Sequence, residues 1–250
     1  MGPQRIDRIE DLSQEELADF LMEMFHRCWM HYGLWFHAAQ AQMEPDRFAE
    51  AERRVFRDSF ALTMKRLGKV FGFAVDGRGL PLRAKAMEKT ELTQAVKALA
   101  ANWYGSDGVW FQGLEGLYDM DTAKRANDSV WARFSPYEAE QIRLRLGLPP
   151  ACGLQGLRAA LPLRTSALLN SFVYEWDQEG ALLLKVPSCR VQKARARRGL
   201  PDYPCKSAGK VEHQFFARAL DRRIHTECLG CPPDKHPPEW YCSWRFTLQE

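Results

Sequence analysis

The feature that most constrains this chain is an internal repeat. Cys28-Trp-Met-His-Tyr-Gly-Leu-Trp-Phe36 returns as Asn102-Trp-Tyr-Gly-Ser-Asp-Gly-Val-Trp-Phe111. From Gly33 and Gly108 onward a fixed offset of 75 pairs Trp35 with Trp110, Phe36 with Phe111, Asp46 with Asp121, Ala51 with Ala126, Val55 with Val130 and Phe56 with Trp131. The ends Leu67-Gly68 and Leu146-Gly147 match at an offset of 79 instead, which implies an insertion of four residues, about one helical turn. Self-similarity at such a period marks a duplicated supersecondary unit, and each copy here has the spacing of a helical hairpin. Two hairpins, over about 14–68 and 88–147, make a four-helix unit across residues 1–150.

Local signals agree. Ser13-Gln-Glu-Glu16 is a capping box before an apolar stripe running through Leu17, Leu21, Met24, Phe25 and Cys28 to about Gln42. Pro45 suits the first turn of the next helix, which carries Phe48, Val55, Phe56, Phe60, Met64 and Leu67. Ser135-Pro-Tyr-Glu138 reads as a second capping box and the place for the inserted turn. The matched aromatics are expected in the core, the alternative being that Trp35 and Trp110 line one wall of an apolar cavity. Glu23-x-x-His26 has no counterpart in the second copy, so a carboxylate–histidine di-metal bundle is excluded.

Leu148-Pro-Pro150 ends the helical unit, and the pattern then changes. Strand-like runs at 171–177, 181–186, 224–228 and 240–248 alternate with helical runs at 154–161, 190–198 and 206–220. The expected fold class is therefore α+β: a duplicated helical unit, then a small antiparallel sheet with inserted helices over 151–250.

Five of the seven cysteines lie in this second part: Cys189, Cys205, Cys228, Cys231 and Cys242. Cys228-Leu-Gly-Cys231 is the one tight pair, able to offer two sulfurs to one tetrahedral ion. Cys189, Cys205, Cys228 and Cys231 are the expected metal ligands, with Cys242 as an alternative ligand. Zn2+ and a [4Fe-4S] cluster both accept four thiolates, and both stay open. A thiol left outside the ligand set, Cys242 first, is the candidate nucleophile. From Lys185 to Arg223 eleven Lys or Arg face three acids, a local balance of +8, and Arg190 and Lys206 (with Arg195) are candidate anchors for an anion. His213, His225 and His236 read mainly as surface residues.

The overall net charge of +3 is too small to call for nucleic acid, and no apolar run is long enough for a membrane span. The start, Met1-Gly-Pro-Gln-Arg-Ile-Asp7, lacks the apolar core of an export signal, so a cytoplasmic protein with reduced thiols is expected. A small anionic ligand or substrate is the expected partner, self-association being left open.

The runs Cys189-Arg-Val-Gln-Lys-Ala-Arg195, Gly199-Leu-Pro-Asp-Tyr-Pro-Cys-Lys-Ser-Ala-Gly209, Cys228-Leu-Gly-Cys-Pro-Pro-Asp234, Tyr241-Cys-Ser-Trp-Arg-Phe246 and Asp107-Gly-Val-Trp-Phe111 resemble an uncharacterised family of prokaryotic cytosolic proteins. More remotely, Cys189, Gly199-Leu200-Pro201, Cys205 and Cys242-Ser-Trp-Arg-Phe246 are similar to the L-2-amino-thiazoline-4-carboxylic acid hydrolase family. That resemblance implies thiol-dependent hydrolysis of a small carboxylate. Two departures stand out: Lys206-Ser207-Ala208 follows Cys205 where that family has an acid, and the Cys228/Cys231 pair is additional. The expected function is a metal- or iron–sulfur-binding protein, hydrolase-like or otherwise thiol- or metal-dependent. The alternatives are a non-enzymatic ligand or redox sensor and a structural zinc module.

Overall fold

A computed structural model describes residues 6–249, apart from the side chain of Asp46. Residues 1–5, which begin the stretch used to argue against an export signal, lie outside the described residues. The chain divides into two compact units, Met1–Ala86 and Met87–Glu250.

The first unit is a hairpin of α1 (Gln14–Gln42) and α2 (Pro45–Phe71), followed by the short α3 (Leu82–Ala86). Ser13 caps α1: its hydroxyl accepts from the Glu16 N–H while the Glu16 carboxylate accepts from the Ser13 N–H at 2.7 Å. Between α2 and α3 the Asp76 carboxylate accepts from the N–H groups of Arg78 and Leu80, closing the turn expected around Asp76-Gly77.

The second unit opens on α4 (Lys89–Leu117) and α5 (Met120–Leu146), each bound lying 75 residues beyond its counterpart in α1 or α2. The repeat thus keeps one offset to its end. The residue matching Gly147 is Gly72, not Gly68: both close their helices in the left-handed region, at φ 64° and 74°, where a side chain is disfavoured. No turn is inserted. Ser135 and Glu138 start no new helix either; they sit buried inside a continuous α5 that also contains Pro136.

α6 (Gly153–Ala160) leads to β1 (Ser171–Trp176) and β2 (Leu182–Ser188). Then come α7 (Arg190–Ala196), α8 (Lys206–Leu220), β3 (Ile224–Gly230) and β4 (Cys242–Leu248). The strands form one antiparallel sheet in the order β1-β2-β4-β3, so the α+β expectation holds. Register puts Val186 opposite Cys242, Leu184 opposite Trp244 and Cys228 opposite Trp244 on its other side. α8 carries Gly209, His213, Phe216 and Leu220 at helical spacing, and this stripe enters a core shared with Leu182, Leu184, Trp244 and Phe246 of the sheet and Ala139 and Ile142 of α5. α5 and α8 are the most closely associated pair of elements. The second hairpin therefore belongs with the sheet, and the boundary between compact units falls at 86/87, where the sequence had suggested 150.

Gly209 lets α8 approach the sheet. A Cβ built there would lie 2.7 Å from Trp244 Cζ2 and 3.1 Å from Cη2, both on a ring only 1% exposed. Alanine gains about 1 kcal/mol of helix propensity, but overpacking a rigid core costs about 1–3 kcal/mol. Gly209→Ala is expected to lower the urea midpoint, with a net loss of up to about 2 kcal/mol and an unchanged m-value. A stabilised variant would show that the indole gives way freely.

Among the matched aromatics Trp131 is buried at 6%, as expected of core, whereas Trp35 and Trp110 are each 67% exposed and belong to no core.

Candidate metal centre and the buried ion cluster

Each of the five cysteines stands at an element's end or break. Cys189 follows β2 and occupies the N-cap of α7, and Cys205 occupies the N-cap of α8. Cys228 precedes an irregularity of β3, whose register slips between Cys228 and Gly230, which brings the chain round to Cys231. Cys242 is the first residue of β4, not a mid-strand position. Backbone bonds hold these ends together. The Lys206 N–H donates to the Pro232 carbonyl at 2.9 Å, tying the start of α8 to the knuckle, and the Asp234 N–H donates to the Cys231 carbonyl at 2.9 Å.

A buried Gln192 sets the loop before Cys205. Its amide accepts from the Tyr203 N–H at 2.9 Å and donates to the Tyr203 carbonyl at 2.8 Å and to Cys205 Sγ at 3.5 Å.

Cys231, 1% exposed, is the hub. Its Sγ lies 3.4 Å from Cys205 Sγ, and Cys228 and Cys242 stand near enough to raise its proton affinity. All seven cysteines are free thiols. Among the described residues no group of three or more His, Cys, Asp or Glu forms a ready-made ligand set for a metal ion. The sulfurs are linked through Cys231. The consequence is an uneven proton affinity. Hydrogen bonds to its three neighbours hold the Cys231 thiol well above its ordinary range, while the hydrogen bond from Cys231 draws Cys205 down and Cys228 down to about 7, Lys206 assisting at Cys228. Burial pushes Cys189 up to about 12, and the charges of Cys242 and Cys205 raise it as well.

The cationic candidates are placed differently. Lys206 Nζ pairs with Asp234 Oδ2 at 2.7 Å, so its charge is already matched. Arg190 is exposed, and its backbone N–H donates to Asn170 Oδ1 at 2.8 Å. Arg195 Nε donates to the Pro201 carbonyl at 2.8 Å. Sequence reading missed Gln192 and Asp234; the position of Asp234, three residues after Cys231 in a knuckle, was the available signal.

It also missed a buried ion cluster between α5 and α8. Arg164, 0% exposed, places Nε 3.1 Å from Glu138 Oε2 and Nη2 2.9 Å from Glu212 Oε1, with Nη1 3.3 Å from His213 Nδ1. Glu138 Oε1 also accepts from the Thr165 N–H at 2.7 Å. His213, read from sequence as a surface residue, is buried against Trp244 and Phe246, with ring centroids 4.6 and 6.3 Å away. Burial, then the Arg164 charge, holds it well below 6.5, so the ring is neutral and Nδ1 can accept from Arg164.

A pH dependence follows. Below about 6.5 the unfolded chain protonates this histidine and the folded chain does not, so the unfolded state binds more protons and stability falls with pH. Between pH 7.5 and 5.5 the loss attributable to His213 is about 1.4 kcal/mol. His213→Gln should remove that slope in urea titrations at the two pH values; an unchanged slope would place its origin elsewhere.

Among the described residues no helix is long and apolar enough to cross a membrane. No curated protein and no solved structure matches the chain. Residues 85–248 match the Family of unknown function (DUF6125), a span that begins just before α4 and takes in the sheet, the five C-terminal cysteines and the Arg164 cluster. With well over half its length inside that match, the chain belongs to the DUF6125 family.

Proposed function

We propose that Cys205, Cys228, Cys231 and Cys242 together bind one zinc ion that fastens the N-terminus of α8 to β3 and β4. The reading is carried by the buried Cys231 sulfur, 3.4 Å from that of Cys205, with Cys228 and Cys242 near enough to raise its proton affinity. Four thiolates around one tetrahedral zinc at about 2.3 Å have sulfurs about 3.8 Å apart, so small shifts away from the hub would make room for the ion. In a [4Fe-4S] cluster each cysteine holds a different iron and the sulfurs stand further apart, which favours the single ion. Binding would release the shared thiol protons and add its free energy to folding.

The ligand set differs from the first expectation by one residue: Cys242 enters in place of Cys189, because Cys242 is among the neighbours that raise the proton affinity of Cys231. The burial of Cys231 and the pairing of Lys206 with Asp234 support a structural clip over a thiol hydrolase acting on a small carboxylate, the chemistry implied by the remoter resemblance.

Protein purified without air or chelator is expected to be colourless with one zinc per chain. A brown sample rich in iron would overturn the choice of metal, and a metal-free sample that takes up no added zinc would overturn the site.

A further inference from the structure

Gln192 is 1% exposed, deep burial for a side chain that proteins usually leave in water. It sits in the first turn of α7, and both N–H bonds of its amide are committed. Nε2 donates to the Tyr203 carbonyl at 2.8 Å and to Cys205 Sγ at 3.5 Å, while Oε1 accepts from the Tyr203 N–H at 2.9 Å. The reciprocal pair with Tyr203 fixes which way the amide faces, because the opposite flip would set N–H against N–H and oxygen against oxygen. The second N–H of Nε2 then has the Cys205 sulfur as its acceptor. The loop that delivers this sulfur is tied to α7 at its other end too: Arg195 Nε donates to the Pro201 carbonyl at 2.8 Å, and the Leu200 N–H donates to the Arg195 carbonyl at 3.1 Å. Donor and sulfur are thus held on one short, doubly pinned piece of chain.

Such a donor suits a thiolate better than a thiol. A neutral thiol accepts weakly, so the bond offsets little of the cost of burying an amide, whereas an ionised sulfur makes it charge-assisted. Four thiolates around a divalent ion also leave two negative charges beside a hub that is 1% exposed, where N–H groups aimed at sulfur offset the cost of burial. We infer, resting on the zinc reading above, that Gln192 is a positioning residue of the metal centre: its N–H withdraws charge from the Cys205 thiolate and holds that sulfur toward the ion. Polar partners standing behind metal ligands are worth about ten- to a hundredfold in metal affinity, and this is the share expected of Gln192.

The test uses the full chain under reducing conditions. Gln192→Met, close to glutamine in size but without the amide, should weaken zinc binding about ten- to a hundredfold in competition with a chelator. The cobalt-loaded variant should move its sulfur-to-cobalt charge-transfer absorption to longer wavelength, since a thiolate without the hydrogen bond gives up an electron more readily. A mere brace for the loop would lower the stability of the metal-free protein and leave that band in place. A second measurement needs no variant: in protein loaded with cadmium-113, the Gln192 side-chain N–H should show scalar coupling to the metal through the N–H···S bond. Equal zinc affinity in parent and variant, an unshifted band, or no coupling at that N–H would each overturn the inference while leaving the zinc site standing. A parent protein that binds neither zinc nor cobalt would remove the site and this inference together.

Discussion

Arg164→Met is expected to destabilise the protein by about 3–5 kcal/mol, measured by urea denaturation at pH 7.5. The guanidinium is 0% exposed and lies between the carboxylates of Glu138 and Glu212. Removing it strands buried negative charge, and breaking a buried ion pair from one side costs far more than the pair contributes. The Phe216 ring, 4.3 Å from the guanidinium carbon, loses a cation–π partner as well. Burial already pushes the Glu212 carboxyl up, so protonating it is the nearest escape, and the variant's deficit should shrink as pH falls from 7.5 toward 5. Adding Glu138→Gln and Glu212→Gln should recover most of the loss, because neutral amides leave no uncompensated charge. A deficit below about 1 kcal/mol in the single variant would show that the carboxylates find water or protons without the arginine.

The second large effect is at the thiol hub. Cys231→Ser should abolish zinc binding, and chelator, which should lower the unfolding temperature of the parent protein, should leave the variant unmoved. A ligand present at 1,000 times its Kd stabilises by about 4 kcal/mol, which sets the scale of the shift. Serine at Cys205, Cys228 or Cys242 should weaken zinc binding by at least about a hundredfold, as expected when a tetrahedral site loses one of four ligands. Cys189→Ser should leave zinc content unchanged, since the proposed ligand set does not use its thiol. Loss of zinc on changing Cys189 with retention on changing Cys242 would restore the ligand set expected from sequence alone.

The parts of the fold that sequence discloses are those set by neighbours a few residues apart. Ser13 and Glu16 announce the start of α1, Pro45 that of α2, and the alternation in 181–186 and 240–248 announces strands. Errors arise where a local pattern serves a distant partner. Ser135-Pro-Tyr-Glu138 has the form of a capping box, yet the Glu138 carboxylate is used by Arg164 and Thr165, 26 and 27 residues away. The repeat was displaced by four residues because Leu67-Gly68 looks like Leu146-Gly147, although the left-handed closing glycine is Gly72. The boundary at 150 failed for a similar reason: α5 buries Ala139 and Ile142 in the same core as α8 and the sheet, an association that no composition change reveals.

The site was legible to a similar depth. Spacing singled out Cys228-Leu-Gly-Cys231 as the tight pair and offered Cys189 and Cys205 beside it, with Cys242 as the alternative ligand. That Cys231 is the hub depends on the slip in β3 and on the carbonyls of Pro232 and Cys231, features of backbone geometry. Lys206 looked like an anion anchor because its salt partner, Asp234, lies 28 residues on along a chain that doubles back.

The account rests on four sulfurs closing around one ion, and cobalt(II) titration of the reduced, metal-free protein tests this most directly. Tetrahedral thiolate coordination gives cobalt intense visible and near-ultraviolet absorption. The account predicts bands that rise linearly to one equivalent of cobalt per chain, vanish on adding zinc, and fail to form in Cys231→Ser while forming normally in Cys189→Ser. Absorption that never exceeds that of hydrated cobalt, or full bands in Cys231→Ser, would contradict it.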